Sequence, residues 1–113
     1  MLKSKKEREI NVLGTTYYIR RGVSTTDDVK LLKCHGYTDF TTKNIVVSAF
    51  GDEYPMGVGD IESYEKKVVR HEIVHAMLTE SGLLSYSEDE TIVDWVALQY
   101  PKLKEIFKKL EVE

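Results

Sequence analysis

The stretch His71-Glu72-Ile73-Val74-His75 lies inside the longest segment of the chain that reads as one helix. Asp60 can cap this helix just before Ile61. The helix is expected to run to about Glu80 and to stop at Gly82, a residue type that commonly ends helices. Because each helical residue turns by about 100°, residues four apart return to within about 40° of each other. Both imidazoles therefore point to one side of the helix and can share a metal ion.

Histidine and glutamate at this spacing predict a zinc site. Neutral imidazole is a good zinc ligand, and a catalytic zinc has three protein ligands and one open position. Glu72 directly follows the first histidine, so its carboxylate lies beside the metal, where a general base takes a proton from water. We therefore expect His71 and His75 to bind Zn²⁺ and Glu72 to be the catalytic base. In the alternative, the two histidines are ordinary packing residues and no metal binds.

The third zinc ligand is expected on a later helix. No histidine follows His75, so the ligand must be a carboxylate or come from upstream. Glu90 and Asp94 are four apart and face the same way on the next predicted helix. We expect Glu90 to complete the metal shell and Asp94 to accept the free N–H of a ligating histidine. Glu88 and Asp94 remain alternative ligands, and an acid at the start of a helix can also be there to favour the helix dipole.

The first half of the chain has the composition of β-strands. Ile10–Leu13 and Tyr17–Arg20 flank the turn signal Gly14–Thr16, which predicts a hairpin. Val29–Lys33 fits either a short strand or a helical turn. Asn44–Phe50 has the strongest strand signal in the sequence, because it is rich in β-branched and aromatic residues.

The second half of the chain is predicted to be helical. A glycine-rich loop, Gly51–Gly59, comes before the first helix. Overlapping Ser-x-x-Glu patterns predict that a second helix begins near Ser87 and reaches Leu98 or Gln99. Pro101 suits the first turn of a third helix. That helix has an apolar stripe expected to pack on the domain, with a homodimer as the alternative: Leu103, Ile106, Phe107 and Leu110. Strands followed by helices indicate an α+β fold.

Length and composition limit the class of protein. The chain has 113 residues, so residues 1–113 are expected to form a single domain. The net charge of −3 argues against nucleic-acid binding. The lone Cys34 excludes an internal disulfide. The sequence shows neither a signal peptide nor an apolar run as long as a membrane span, so we expect a cytoplasmic protein that does not bind membranes.

With Glu-x-x-x-Asp following His-Glu-x-x-His, the chain resembles the gluzincins, the class to which thermolysin belongs. Its short length makes it more similar to the ImmA/IrrE-type metallopeptidases, in particular to small members encoded by phages. The stretches that carry this resemblance are Gly36–Asp39, Ile45–Val47, Val69–Ala76, Glu80–Leu83, Val93–Ala97 and Gln99–Pro101. They cover most of the chain from Gly36 onward, but only the histidine motif is highly specific.

The resemblance implies a zincin-like fold, in which a small, mostly antiparallel N-terminal sheet precedes the active-site helix and two further helices. It implies a zinc metalloendopeptidase in the cytoplasm of a bacterial host, acting on a peptide or protein substrate, with His71, His75 and Glu90 as ligands. It also implies that Asn44–Phe50 lies at the sheet edge beside the cleft and holds an extended peptide. Thr91 departs from the family pattern, which has alanine next to the ligand glutamate. The helix-turn-helix often attached in that family is not recognisable here.

Other residues have weaker claims to a role in the site. Cys34 and His35 are expected to be an ordinary loop pair, although a thiolate could reach the metal and the histidine could stabilise an oxyanion. Tyr54 and Tyr64 are further candidates to donate to an oxyanion. Trp95 is expected to be a core residue. A non-catalytic, metal-binding interaction module is the competing function, and the chain is expected to be a monomer or a weak homo-oligomer.

Overall fold

The computed structural model describes residues 7–50 and 60–113, and within them four strands come before three helices. This order confirms the predicted α+β class. The strands are β1 (Arg8–Val12), β2 (Thr15–Val23), β3 (Gly36–Asp39) and β4 (Asn44–Ser48), and the helices are α1 (Ile61–Glu80), α2 (Leu84–Ser87) and α3 (Glu90–Lys109). The predicted loop Gly51–Gly59 lies outside the described residues, as does Tyr54.

Strands β1 and β2 form the predicted hairpin, with a tighter turn than expected. Leu13 and Gly14 both have positive φ angles, 50° and 98°, which is the backbone of a two-residue hairpin turn. Asn11 supports the turn, because its side-chain oxygen accepts a hydrogen bond from the Gly14 amide at 2.8 Å. Thr15 and Thr16 therefore belong to β2 rather than to the turn.

The sheet order β1-β2-β4-β3 places β4 inside the sheet, so the predicted edge position of Asn44–Phe50 was wrong. The edge strand is β3, which pairs antiparallel with β4. Sequence patterns did not indicate β3, because it is four residues long, begins with glycine and ends with aspartate. Strand β4 pairs with β2 in parallel, whereas β1 and β2 are antiparallel. The predicted mostly antiparallel sheet is thus a mixed one.

Helix α1 packs on one face of this sheet and forms the main core. Tyr17, Ile45 and Val47 are completely buried beneath it. The opposite face has a second, smaller cluster in which Val46 packs with residues of the 3-10 turn Val29–Leu32. Of the two structures predicted for Val29–Lys33, a short strand or a helical turn, the segment therefore forms the helical turn. Strand β4 is buried on both faces, which explains its continuous apolar sequence.

The predicted ends of α1 are confirmed. The Asp60 side chain accepts a hydrogen bond from the Ser63 amide at 3.0 Å and so caps the first turn. At the other end Gly82 has a φ of 79°, and the Leu83 amide donates to the Leu78 carbonyl. This left-handed glycine closes the helix as its sequence position predicted.

Two acidic side chains fix α1 to the sheet. Glu65 is buried and accepts a two-pronged ion pair from the guanidinium of Arg21 on β2. Glu80, the last residue of α1, accepts hydrogen bonds from Tyr17 at 2.6 Å and Lys43 at 3.2 Å. These bonds, together with one from a threonine hydroxyl, lower the pKa of Glu80 to about 2. Each of these carboxylates therefore has a cationic partner.

Gly36 lets the edge strand approach α1 closely. A Cβ atom at this position would lie 2.9 Å from Val68 Cγ1 and 3.1 Å from the Val46 carbonyl oxygen. Both distances are shorter than ordinary van der Waals contact. Only glycine therefore fits between the sheet edge and α1 at this level.

Helix α3 begins and ends differently from the prediction. Its cap is Asp89, whose side chain accepts from the Thr91 and Ile92 amides, so the predicted start near Ser87 was wrong. Ser87 instead ends the short helix α2. The predicted boundary at Pro101 was also wrong, because α3 is continuous through this residue.

A side chain from α1 explains how α3 tolerates its proline. Pro101 has no N–H and cannot donate to the carbonyl of Ala97, four residues earlier. Arg70 supplies the missing donor, since its Nε lies 2.7 Å from the Ala97 carbonyl oxygen. Ala97 is completely buried, where an unpaired carbonyl would be costly. The contact also ties α1 to α3.

The apolar stripe predicted to pack on the domain does so at Leu103 alone, which is partly buried. Ile106, Phe107 and Leu110 are all exposed. Trp95, predicted to lie in the core, is 57% exposed on the same helix.

Across the described ranges, 7–50 and 60–113, no helix is both long and apolar enough to cross a bilayer.

Candidate metal centre

Helices α1 and α3 bring His71, His75 and Glu90 together. The two Nε2 atoms of the histidines are 3.2 Å apart. One Glu90 carboxylate oxygen lies 2.9 Å from His71 Nε2, and the other lies 3.0 Å from His75 Nε2. The histidines are largely buried and Glu90 is exposed. These three residues form a group that can hold a metal ion.

Hydrogen bonds at the opposite ring nitrogens determine which histidine atoms are available as ligands. His75 Nδ1 lies 2.6 Å from the Ser87 carbonyl oxygen, which can only accept, so Nδ1 carries the proton. His71 Nδ1 lies 3.1 Å from the Asp94 carboxylate and carries a proton for the same reason. In the neutral rings both Nε2 atoms therefore present lone pairs.

Three electron-pair donors thus converge on one point, an arrangement that could hold a cation. The spacing fits a small tetrahedral metal ion. Ligands about 2.0 Å from a metal, as in zinc sites, lie about 3.3 Å apart on a tetrahedron. The three observed separations are 2.9 to 3.2 Å. Three protein ligands leave a fourth tetrahedral position for water or substrate.

Asp94 orients His71 and is itself held by a lysine. Lys67 Nζ lies 2.9 Å from the same Asp94 oxygen that accepts from His71. The hydrogen bond from Lys67, followed by the one from His71, lowers the pKa of the Asp94 carboxyl, although partial burial opposes them. An ionised Asp94 fixes the tautomer and orientation of the imidazole. This is the place predicted for Asp94.

Glu72 is a buried carboxylate on the sheet side of α1, and its side chain is 6% exposed. Its Oε1 accepts a hydrogen bond from Thr38 Oγ1 on β3 at 2.8 Å. Burial raises the pKa of Glu72, while this hydroxyl and the two histidines act in the opposite direction. In the described residues Glu72 has no lysine or arginine partner, unlike Glu65 and Glu80. A buried carboxylate with a raised pKa is suited to gaining and losing a proton.

The centre opens into a cavity of about 460 Å³ between the edge strand and α1. Such a volume is typical of sites for small molecules or short peptide segments. The walls come from β3 with its preceding loop, from α1 and from the start of α3. Its lining includes Gly36, Thr38, Phe40, Tyr64, Lys67, His71, Glu72, His75, Glu90 and Asp94.

The weaker candidates lie at different places around this cavity. His35 and Tyr64 line it together, and His35 Nδ1 is hydrogen-bonded to the tyrosine hydroxyl. Burial, and then the charge of Lys67, lowers the pKa of His35, which favours the neutral ring. Cys34 also lines the cavity, but burial raises the pKa of its thiol and its Sγ donates to the Lys30 carbonyl at 3.4 Å. Glu88 is exposed and lies outside the ligand group.

Sequence reasoning missed three contributors to the centre. The Ser87 carbonyl that orients His75 has no side-chain signal, because it is a backbone group. Thr38 had no assigned role, since its strand was not predicted. Lys67 precedes His71 by four residues on the same helix, and this spacing is a signal that could have identified it.

The chain was compared with protein-family models, with curated proteins and with solved structures, and none of the three comparisons gave a match.

Proposed function

We propose that this protein is a zinc metallopeptidase of the His-Glu-x-x-His type, with His71, His75 and Glu90 as the zinc ligands. The observation that carries the proposal is the convergence of two Nε2 lone pairs and a carboxylate beside the buried carboxylate of Glu72. Two imidazoles and one carboxylate are a known ligand set of catalytic zinc. The resemblance to the ImmA/IrrE-type metallopeptidases supports the same choice through motif spacing.

Zinc bound there would supply a Lewis acid that polarises a peptide carbonyl and acidifies water. Glu72 is the general base: its carboxylate accepts a proton from the attacking water and later passes it to the leaving amine. The hydrogen bond from Thr38 orients one Glu72 oxygen and leaves the other available for this exchange. His35 and Tyr64, which line the same cavity, are the candidates to donate to the developing oxyanion.

The substrate class follows from the edge strand. Among residues 7–50 and 60–113, strand β3 pairs with β4 alone, and it lines the cavity that contains Glu72. The unpaired edge of a strand can bind an extended peptide through main-chain hydrogen bonds. We propose that a peptide or an unfolded protein segment lies along β3, with its scissile bond at the metal centre. In this proposal β3, rather than Asn44–Phe50, holds the extended peptide.

We also propose a biological setting for the protein from its size and motif spacing. A small metallopeptidase with this motif spacing fits an enzyme encoded by a phage or mobile element and acting in the cytoplasm of a bacterial host. The competing function is a metal-binding interaction module without activity. Peptide cleavage by the zinc-loaded protein distinguishes the enzyme from such a module.

Cleavage of a proteome-derived peptide library, read by mass spectrometry, tests the function with zinc-loaded protein. The wild type should generate new peptide termini, and Glu72→Gln should abolish them while zinc remains stoichiometric. Glu88→Gln is the matched control, because it removes an exposed carboxylate outside the ligand group. Zinc binding without cleavage by the wild type would favour the interaction module. Failure to bind zinc, or full activity in Glu72→Gln, would overturn the proposal.

A further inference from the structure

The connection between α1 and α3 contains one buried residue, Ser87. Residues 81–86 and 88 are exposed, whereas Ser87 has only 4% of its surface exposed. The backbone hydrogen bonds of α2 stay within the connection itself. Within the ranges 7–50 and 60–113, Ser87 is the only residue of α2 that is hydrogen-bonded to another helix or strand. The connection is therefore attached to α1 at Ser87.

Ser87 contacts α1 through its side chain and its backbone. Its hydroxyl donates to the His75 carbonyl oxygen at 3.0 Å. Because its one hydroxyl proton is used in that bond, Ser87 Oγ accepts from the Thr79 hydroxyl, 2.8 Å away. The Ser87 carbonyl accepts the Nδ1 proton of His75 at 2.6 Å. Residues 75 and 79 are one helical turn apart on the same side of α1, so all three bonds hold Ser87 against a single turn.

The other ring nitrogen of His75 faces the residue that begins α3. Glu90 follows Ser87 by three residues, and one of its carboxylate oxygens lies 3.0 Å from His75 Nε2. Ser87 and Glu90 thus contact opposite nitrogens of one imidazole. The short stretch between them links the place where α2 is attached to the place where Glu90 reaches the metal centre.

The side chain of Ser87 explains why this carbonyl is held in place. Every residue type has a backbone carbonyl, so the contact with Nδ1 does not by itself require serine. The two hydroxyl bonds are what serine adds, and they fix the carbonyl relative to α1. Groups that hold a metal ligand in position typically raise metal affinity by about 10- to 100-fold.

We infer that Ser87 is a positioning residue of the metal centre. Its hydroxyl, supported by Thr79, fixes the connection so that His75 and Glu90 meet in the arrangement that a metal ion needs. Ser87 itself does not line the cavity. This inference rests on the zinc site of the proposed function and adds a residue that acts from behind it.

Zinc affinity tests the inference, measured on metal-free protein by competition with a chromophoric chelator. Ser87→Ala should lower the affinity by roughly tenfold, because it removes both hydroxyl bonds and keeps the carbonyl. Ser85→Ala is the matched control: it removes an exposed hydroxyl of the same helix and should bind zinc like the wild type. A Ser87→Ala variant with the zinc affinity of the wild type would overturn the inference.

Thr79→Val tests the same connection without changing Ser87. Valine has the shape of threonine but no hydroxyl, so Ser87 Oγ loses its donor. Zinc affinity should fall by less than in Ser87→Ala, because the bond to the His75 carbonyl remains, and Thr79→Ser should restore it. Circular dichroism checks that each variant is folded. If Ser87→Ala does not fold, unchanged zinc affinity in Thr79→Val overturns the inference.

Nuclear magnetic resonance of the imidazole protons gives a readout that a general loss of stability would not reproduce. In metal-free protein the Nδ1 proton of His75 should exchange with water faster in Ser87→Ala than in the wild type. The Nδ1 proton of His71, which is bonded to Asp94, should exchange at the same rate in both proteins. Equal exchange of the His75 proton in both proteins, or equal acceleration of the two histidine protons, would overturn the positioning role.

Neither measurement uses a peptide substrate, so the two proposals fail in distinguishable ways. Failure of the peptidase proposal appears as absent cleavage by the zinc-loaded wild type. Failure of the inference appears as unchanged zinc affinity and unchanged proton exchange in Ser87→Ala.

Discussion

Thr38 Oγ1 donates a hydrogen bond to Glu72 Oε1 at 2.8 Å, and this bond joins the edge strand to the carboxylate proposed as general base. The same hydroxyl lies 3.2 Å from the Glu72 backbone carbonyl, so the threonine is held against the helix at two points. The sheet edge that would receive a peptide and the group that would activate water are therefore directly connected. A displacement of β3 would displace the base.

Replacing Thr38 by valine should reduce peptidase activity while zinc affinity stays unchanged. Valine keeps the shape but removes the hydroxyl, so the Glu72 carboxylate loses its orienting donor. The expected loss in kcat/KM is on the order of tenfold or more. Because the lost bond favours the ionised form, the pKa of Glu72 should rise, and the acidic limb of the pH profile should move to higher pH. Thr38→Ser should restore activity, and unchanged kinetics in the valine variant would contradict the role.

Glu90→Gln should weaken zinc binding, measured by calorimetry on metal-free protein. An amide is a poorer zinc ligand than a carboxylate and leaves the site without its negative charge. We expect zinc affinity to fall at least about tenfold. Removing a group that only hydrogen-bonds to a zinc ligand already lowers metal affinity by about tenfold or more. Glu88→Gln removes the same charge two residues earlier and should bind zinc like the wild type. The reverse ranking would make Glu88 the ligand.

Arg70→Met should destabilise the protein by about 1–3 kcal/mol, because it leaves the buried Ala97 carbonyl without a donor. The cost should be much smaller in a Pro101→Ala background, where the new backbone N–H can bond to that carbonyl. Urea unfolding of the wild type, the two single variants and the double variant measures this coupling. Equal costs of Arg70→Met in both backgrounds would show that Arg70 does not compensate for the proline.

Glu80 should make stability depend on pH in the acidic range. Its pKa is lowered to about 2 in the folded protein from an ordinary value of 4.5. The unfolded chain therefore binds more protons between these values, and the stabilisation by Glu80 is lost as pH falls from about 4.5 to about 2. Glu80→Gln should lower the melting temperature above pH 4.5, with a difference from wild type that vanishes toward pH 2. Glu105→Gln, at an exposed residue, should change neither the melting temperature nor its pH dependence. A melting-temperature difference between Glu80→Gln and the wild type that stays constant across this pH range would contradict the role of Glu80.

The parts of the fold that follow from local signals could be predicted from the sequence. Asp60 and Gly82 act within one turn of the helix ends that they determine, so the bounds of α1 follow from sequence alone. The spacing of His71 and His75 places their side chains on one side of α1. Glu90 required a further step, because its position near these histidines depends on how α3 packs against α1.

The parts decided by distant contacts could not be predicted in this way. Strand β3 has weak local preferences and forms because β4 offers a partner edge. The passage of α3 through Pro101 depends on Arg70, which lies 31 residues earlier in the sequence. The apolar stripe near the end of α3 was recognised from its spacing, but the exposure of Ile106, Phe107 and Leu110 depends on where the body of the domain ends, which no periodicity indicates.

Gly36 makes the width of the cavity depend on the smallest side chain in the protein. Strand β3 and α1 approach so closely at this point that a methyl group on residue 36 would lie 2.9 Å from Val68 Cγ1. Position 36 therefore acts as a spacer between two walls, and each added carbon would push them apart. Alanine, serine and valine at this position would form a graded series in which Thr38 is drawn progressively away from Glu72.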